Sequence, residues 1–530
     1  MIRSKLVIAG GSVVDGTGAR AAPNDLYVAD GTIARVAPHA DAHPGWTVLD
    51  ARGLTLAPGF IDAHSHADFA PFLASDDGTK ILQGVTTEVV GNCGFSLAPT
   101  TDAHRDLVAS TIEARLAEVP TGDGSFAAYL AAADARGYVT NVAPLVGHGT
   151  LRIAALGLDA REPTAHEAAH MAALLDEALD AGAFGLSTGL IYPPGVFSDT
   201  AELVALARRL RPNTVYASHL RSESDALLDA VAEALAIGER AGARVQLSHH
   251  KAAGRRNWGK TRASLALVAA ARSRGVDVYQ DVYPYVAGST HLSAVLPPAF
   301  HVGGAAATLA RLRDETELRR LRDVLANDAP GFDNLLAMAG YDDILLATTG
   351  SGRFEGRSLR EVAVALGVEP FDALVRVLVD EGLDVTMTIF VMAEDDVERV
   401  LCDDFTAIGS DGGFAGAGGK PHPRLFGTFP RVLGEYVRRR GTLSLESAIR
   451  KMTSLPAHIF GLADRGTLQP GRVADIVAFD RATVDDDLDY RDPVRSPRGI
   501  AWVMQRGAVV VREGRYLGPR RGVRLRPKAS

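Results

Sequence analysis

The chain has 530 residues, of which 47% are hydrophobic and 23% charged, an ordinary composition for a globular protein of one large domain or several smaller ones. The formal net charge of -8 and the pI near 6.0 argue against a nucleic-acid partner, because no basic excess exists to neutralise phosphates. The cysteines are Cys93 and Cys402, so a disulfide framework is excluded and a reducing compartment is expected.

The N-terminal residues carry only a short apolar run before Gly10 and Gly11. Such a run is too brief and too polar for a signal peptide or a membrane span. We therefore expect a cytoplasmic protein without a membrane partner, and the sequence predicts no particular oligomeric state.

Both ends of the chain are rich in short strand patterns separated by turn residues, over residues 1–55 and 464–530. Neither end alone has enough strands for a stable core. We therefore predict that the two termini meet in one small β-sandwich domain.

Between these ends, over residues 56–463, strand and helix patterns alternate, which is typical of a parallel sheet in an α/β protein. Eight such units predict a (β/α)8 TIM-like barrel. The eight strand candidates are 56–62, 86–91, 139–146, 183–187, 214–218, 244–248, 276–282 and 405–409. The gap before the last candidate is long, and we predict an inserted, lid-like segment at about 285–345.

The ends of the predicted strands carry the side chains with metal-binding chemistry. His64 and His66 lie two residues apart, a spacing that puts both imidazoles on one face of a strand. Four other candidates follow other strands: Cys93, His219, His249 and Asp411. Barrel enzymes place reacting groups at this rim, and imidazole, thiolate and carboxylate are ligands of zinc. Six ligands exceed one tetrahedral ion, so the set fits two metals, or one tight and one weak.

Taken singly, each of these residues is more often structural, and the convergence carries the hypothesis. His148 follows the third strand and fits either loop packing or site lining. His250 points away from His249 by strand alternation, and we interpret it as structural. Residues 254–261 (GRRNWGKT) match the phosphate-binding pattern G-x-x-x-x-G-K-[ST], which keeps nucleotide binding as a remote alternative.

Residues 58–66 (PGFIDAHSH) resemble the first-strand signature of the amidohydrolase superfamily. Five further segments resemble a narrower group, the D-aminoacylases or N-acyl-D-amino-acid deacylases. They are 84–94 (GVTTEVVGNCG), 185–195 (GLSTGLIYPPG), 216–223 (YASHLRSE), 281–290 (DVYPYVAGST) and 421–434. With 466–480 at the closing strand, the resemblance covers nearly the whole chain.

The resemblance implies a barrel with a small β-domain, hydrolysis of a linear amide bond, and zinc. It implies one tightly bound zinc on Cys93, His219 and His249, with His64 and His66 at a second or weaker position. Asp411 would be the general base and acid as well as a ligand. The implied substrate contacts are Tyr283, Ser289 and Arg424 at the α-carboxylate, with Lys251 near the substrate side chain.

The expected reaction is cleavage of an N-acyl-D-amino acid into a carboxylate and a D-amino acid. The nearest enzymatic rival is a cyclic amidase of the hydantoinase or dihydroorotase kind on the same fold. Such enzymes resemble this chain but usually bridge their metals with a carboxylated lysine, a place that Cys93 takes here. A catalytically inactive scaffold is a further alternative, although every ligand position is filled.

Overall fold

The computed structural model describes residues 5–73, 78–105, 107–108, 122–327, 331–413, 418–487 and 489–528. The strands are β1 Lys5–Ala9, β2 Ser12–Val13, β3 Ala22–Ala29, β4 Thr32–Pro38, β5 Thr47–Asp50, β6 Thr55–Pro58, β7 Phe60–Asp62, β8 Val85–Val90, β9 Asn141–Pro144, β10 Val146–Gly147, β11 Gly185–Gly189, β12 Val215–His219, β13 Arg244–Leu247, β14 Val278–Val282, β15 Ala287–His291, β16 Ile344–Thr349, β17 Val385–Phe390, β18 Thr406–Ile408, β19 Ile476–Phe479, β20 Ile500–Gln505, β21 Ala508–Arg512 and β22 Arg515–Tyr516.

The α-helices alternate with these strands over the middle of the chain. They are α1 Phe126–Arg136, α2 His148–Leu156, α3 Ala165–Ala181, α4 Thr200–Ala207, α5 Leu227–Ala241, α6 Thr261–Ser273, α7 Gly304–Arg311, α8 Glu315–Ala326, α9 Leu335–Ala339, α10 Leu359–Leu366, α11 Pro370–Asp380, α12 Glu394–Cys402, α13 Arg424–Arg431, α14 Leu445–Met452 and α15 Ser454–Ile459. A π-helix, Val432–Arg439, continues α13. Within the described ranges, no helix is both long and apolar enough to cross a membrane.

The predicted barrel is confirmed. Its parallel strands follow the order β7, β8, β9 with β10, β11, β12, β13, β14 and β18. The first and last strands close the circle, since the amide of Ala63 donates to the carbonyl of Ile408 at 3.1 Å. Just beyond, the amides of Asp411 and His66 donate to the carbonyls of His64 and Gly412 at 2.8 and 2.9 Å.

The strand predicted at 56–62 is two strands that divide at Gly59. β6 belongs to the terminal sheet, where it pairs with β19 and β2, whereas β7 belongs to the barrel. A Cβ atom at Gly59 would overlap the buried side chain of Thr86. Glycine is therefore required here by close approach of the backbone to a neighbouring side chain.

The strands from the two ends of the chain share one curled sheet. Its order is β22-β21-β20-β19-β6-β2-β3-β1-β5, with β4 beside β3. It encloses a core that includes Leu26, Leu56, Ile476 and Trp502. Together with the barrel, this confirms the predicted fold class. The division into 1–55 with 464–530 and 56–463 stays a prediction.

The last described residues leave the terminal sheet and lie on the barrel. The amide of Val142 in β9 donates to Val523 at 3.0 Å, and that of Leu525 donates to Val142 at 2.8 Å. Arg524 adds an ion pair of 2.7 Å to Asp134 at the end of α1. The tail thus extends the barrel wall beside β9.

The insertion between β14 and β18 contains a three-stranded antiparallel sheet in the order β15-β17-β16. β17 ends at Phe390, so this sheet extends well past the predicted end of the insertion at 345. The helices α7 and α8 lie within the predicted insertion. The sheet brings β15 close to the end of β14, which carries Tyr283.

Candidate metal centre

The predicted ligands meet at the carboxyl-terminal rim of the barrel, after β7, β8, β12, β13 and β18. His64, Cys93, His249 and Asp411 each offer a ligand atom within 4.8 Å of all the others. The Cys93 sulfur lies 3.4 Å from His64 Nε2 and 3.3 Å from His249 Nε2. The remaining two candidates adjoin this group: His66 Nε2 lies 3.1 Å from Asp411 Oδ1, and the His219 ring centroid lies 4.4 Å from that of His249.

Three of these residues have left-handed backbone conformations, with φ values of 52° at Cys93, 35° at His249 and 50° at Asp411. Such values are uncommon for residues other than glycine and concentrate at functional sites. Gly91 and Gly94 bracket Cys93, with φ values of 79° and 80°. A Cβ on either glycine would meet the backbone of β9–β10 or β11, so the tight turn holds the thiol at the rim.

His219 supplies a test of whether these residues fit a metal. Its side chain is buried, and neither ring nitrogen has a hydrogen-bond partner among the residues that the structure describes. Buried polar atoms are almost always satisfied, because an unmet donor or acceptor costs about 1–3 kcal/mol. A metal ion bound to one ring nitrogen would remove the cost at that nitrogen. The donor set of thiolate, imidazoles and carboxylate is one that zinc accepts.

Opposite charges dominate the electrostatics of the centre. Burial favours the neutral thiol of Cys93, but the neighbouring His64 and His249 outweigh it and lower the pKa of Cys93 well below its ordinary value. Burial likewise opposes a charge on His66, yet its hydrogen bonds to Asp411 and Cys93 raise the pKa of His66 to about 9. Both shifts favour the charged form of the group, and for Cys93 the charged form is the thiolate that binds a metal.

Asp411 is held from both sides. Its Oδ1 lies 3.1 Å from His66 Nε2, and its Oδ2 forms an ion pair of 2.8 Å with Arg424 Nη1. Burial would raise the pKa of Asp411, but the Arg424 charge, followed by those of the histidines, keeps it well below the ordinary carboxyl value. The carboxylate is consequently ionised and fixed beside the ligand cluster.

Two carboxylates that the sequence analysis assigned no role contact the far nitrogens of the histidines. Asp281, the fourth residue of β14, lies 3.3 Å from His64 Nδ1, and Glu223 lies 2.9 Å from His249 Nδ1. A carboxylate that accepts the Nδ1 proton leaves the Nε2 lone pair for a metal. Asp281 also accepts the His249 amide at 2.8 Å, so it positions two ligands. The sequence signal that could have identified Asp281 and Glu223 is their acidic character within or next to the motifs that carry the predicted ligands.

The predicted carboxylate-binding residues also come together. The Arg424 guanidinium lies 4.9 Å from the centre of the Tyr283 ring, and its Nη2 donates to the Ser289 carbonyl at 3.1 Å. Both Arg424 and Tyr283 are buried next to Asp411. Lys251 is close to the centre but faces Glu223 at 2.5 Å and His249 Nδ1 at 2.7 Å.

Two other histidines lie outside the ligand cluster. His250 lies 2.7 Å from both Gln280 Oε1 and Ser264 Oγ, as its structural interpretation predicts. His148 is buried against Glu202 at 2.7 Å. This geometry favours loop packing at the start of α2 over lining of the metal centre.

The phosphate-binding motif at 254–261 serves a different purpose in this fold. The Gly259 amide donates to Asp396 Oδ2 at 2.7 Å, and the Thr261 hydroxyl bonds to the same carboxylate. Lys260 donates to Asn257 Oδ1 at 2.6 Å and to the Asp225 carbonyl at 3.0 Å. An internal carboxylate thus takes the anion position, and the loop fastens β13 to α12.

Comparisons with known proteins agree with this geometry. A model of the amidohydrolase family matches residues 47–511. The chain is 38% identical to the D-aminoacylase of Alcaligenes xylosoxydans xylosoxydans over 98% of its own length and 96% of that protein. It is also 38% identical to an N-acyl-D-glutamate deacylase of the same organism, over 95% and 93%.

One solved structure is similar over its full length. It is an N-acyl-D-glutamate deacylase from Bordetella bronchiseptica, complexed with zinc and a phosphonate inhibitor that mimics the tetrahedral intermediate of the reaction. The TM-score is 0.82 at 37% sequence identity, covering 99% of this chain and 100% of that one.

We predict that Cys93→Ala removes most bound zinc while leaving the fold intact, because thiolate binding supplies much of the affinity of such sites. Metal analysis of purified protein after dialysis against a weak chelator measures the loss, and thermal unfolding monitors the fold. Cys402→Ala is the matched control, since Cys402 is the other free cysteine and is exposed on α12. Equal zinc content in the two variants would contradict a ligand role for Cys93.

Proposed function

Because this chain belongs to the amidohydrolase family, we propose that it is a zinc-dependent hydrolase that cleaves the amide bond of N-acyl-D-amino acids. The observation that carries the proposal is the convergence of a thiolate, imidazoles and Asp411 at one rim, beside the buried cation Arg424. The thiolate, imidazoles and Asp411 are suited to metal-assisted amide hydrolysis. The Arg424 guanidinium is suited to a substrate with a free α-carboxylate. The products are a carboxylate and a free D-amino acid.

We assign Cys93, His219 and His249 to one tightly held zinc, and His64 and His66 to a second, weaker position. Glu223 and Asp281 hold His249 and His64 in orientation. When bound, zinc polarises the scissile carbonyl and lowers the pKa of the attacking water. The protein side chains perform the remaining tasks, which are proton transfer and substrate orientation.

Asp411 is the proton carrier in this proposal. Its ionised carboxylate accepts the proton of the attacking water and later delivers it to the leaving nitrogen. His66 and Arg424 fix one carboxylate oxygen each, so Asp411 points into the ligand cluster before substrate arrives. Such preorganisation avoids a reorientation during the reaction.

Stereochemical selection requires three fixed points on the α-carbon. With the acyl carbonyl held at the metal centre, a clamp on the α-carboxylate makes the direction of the side chain decisive. Arg424 presents a planar fork suited to a carboxylate, and Tyr283 adds a hydroxyl donor. Ser289 shapes the clamp through the carbonyl that Arg424 contacts, and its hydroxyl completes the predicted set.

The cyclic-amidase alternative is not favoured. The relatives described above that are 38% identical are named D-aminoacylase and N-acyl-D-glutamate deacylase. In addition, the Cys93 thiol lies between His64 and His249, which supports a cysteine ligand in place of the carboxylated lysine expected for the rival class. Nucleotide binding is disfavoured because the Asp396 carboxylate of α12 occupies the anion position of the motif at 254–261.

We expect the zinc-loaded protein to release acetate from N-acetyl-D-amino acids and to leave the matching L-enantiomers intact. Detection of the free amino acid measures this directly, and chromatographic detection of the ring-opened N-carbamoyl products follows the cyclic controls dihydrouracil and hydantoin. Activity on the cyclic amides alone, or on L-enantiomers alone, would overturn the proposal.

Asp411→Asn should retain the substrate affinity and the tightly bound zinc but lower kcat at least about a hundredfold, because asparagine keeps the shape and cannot accept a proton. Single-turnover kinetics at equal zinc occupancy separate the chemical step from metal loss. A kcat within a few-fold of wild type would show that another group transfers the proton.

Arg424→Ala should lower kcat/KM on an N-acetyl-D-amino acid. The expected loss of transition-state stabilisation is about 2 kcal/mol, the scale of a lost charge-assisted pair. The control substrate is the corresponding N-acetyl amine, which lacks the carboxylate, so its smaller loss reports only on the contact between Arg424 and Asp411. Arg424→Lys is the control variant, keeping the charge without the planar fork. Equal losses on both substrates would mean that Arg424 acts only through Asp411.

A further inference from the structure

The relatives of this chain do not share one named substrate. A D-aminoacylase and an N-acyl-D-glutamate deacylase are equally similar to it, at 38% identity, so sequence identity does not decide whether the substrate side chain is acidic. Resting on the proposed function, we infer that this enzyme selects N-acyl-D-amino acids with uncharged, apolar side chains. The substrate side chain packs against a wall of the site that is formed by Phe95, Tyr192 and Thr290.

The cations at the centre have no charge left for a second carboxylate. Arg424 faces Asp411 at 2.8 Å and is the predicted partner of the α-carboxylate. Lys251, which was expected near the substrate side chain, faces Glu223 at 2.5 Å. Glu223 thereby neutralises the one ammonium group that could attract an acidic side chain.

Three described segments at the rim supply no replacement cation. Residues 91–104, 183–207 and 275–310 contain no lysine or arginine. These segments include or follow the ends of β8, β11 and β14. An additional carboxylate entering here would lose its hydration without gaining an ion pair.

Three arginines near the rim are already paired with carboxylates of the protein. Arg221 contacts Glu233 at 2.8 Å, Arg152 contacts Glu202 at 2.5 Å, and Arg256 contacts Asp225. Withdrawing any of them toward a substrate would leave its partner carboxylate uncompensated, at a further cost.

The wall formed by Phe95, Tyr192 and Thr290 is uncharged and largely aromatic. The Tyr192 ring lies 5.0 Å from that of His219 in an edge-to-face arrangement, and 6.1 Å from that of Phe95. The Tyr192 hydroxyl is bonded to Thr290 Oγ1 at 3.1 Å, which turns its polar end toward β15. Phe95 and Tyr192 are half-buried, and their aromatic surface is suited to apolar contact.

The test compares kcat/KM of the zinc-loaded wild-type enzyme on the N-acetyl derivatives of D-methionine, D-leucine, D-glutamate and D-aspartate. We expect at least about a tenfold preference for the two neutral substrates, the effect of one uncompensated charge. An equal or higher kcat/KM on the acidic substrates would overturn the inference while leaving the deacylase function standing. Activity on none of the four would overturn the function itself, and the inference with it.

Thr290→Lys and Thr290→Met form a matched pair, since both remove the hydroxyl but only lysine adds a charge. The ratio of kcat/KM on N-acetyl-D-glutamate to that on N-acetyl-D-methionine should be at least about tenfold higher in Thr290→Lys than in Thr290→Met. An unchanged ratio would overturn the placement of the side chain against Thr290. The wild-type comparison decides the substrate class even if either variant fails to fold.

Discussion

The buried carboxylate of Asp62 joins the first and last strands of the barrel, and the metal centre depends on this junction. Its Oδ1 accepts the amides of His64 and Ser410 at 3.2 and 2.8 Å, and its Oδ2 accepts from Ser410 Oγ at 2.6 Å and Lys80 Nζ at 2.7 Å. A buried ion pair is tolerable only when its remaining hydrogen-bonding capacity is met, as it is here. The junction brings residues of β7 and β18 side by side although nearly 350 positions separate them in sequence.

Above this junction the structure holds the ligands in conformations they would not adopt alone. Cys93, His249 and Asp411 have positive φ, and the close-packed backbone around Gly91 and Gly94 over-determines the turn at Cys93. Asp281 connects two neighbours by bonding His64 Nδ1 and the His249 amide. The barrel and its buried carboxylates thus position the ligands. The charges of these carboxylates already offset those of the histidines before any ion binds.

Arg424 connects the two halves of the proposed reaction. It contacts Asp411, the proposed proton carrier, and lies against Tyr283 and the Ser289 carbonyl, the proposed substrate clamp. In the proposed reaction, a substrate carboxylate entering the clamp shares the Arg424 guanidinium with the carboxylate of Asp411. Glu223 balances the charge of Lys251 in the same manner, and the inferred preference for uncharged side chains rests on this pair.

The sequence by itself determined the eight barrel strands, the meeting of the termini and the six candidate ligands, because periodicity and residue type are local properties of the chain. It could not divide the segment 56–62 at Gly59, since that break arises from contact with Thr86 of another strand. It also assigned no role to Glu223 and Asp281, whose importance lies in which histidine nitrogens they reach. The phosphate-binding pattern at 254–261 misled for the same reason: only the fold places the Asp396 carboxylate against its amides, because that contact joins residues more than 130 positions apart.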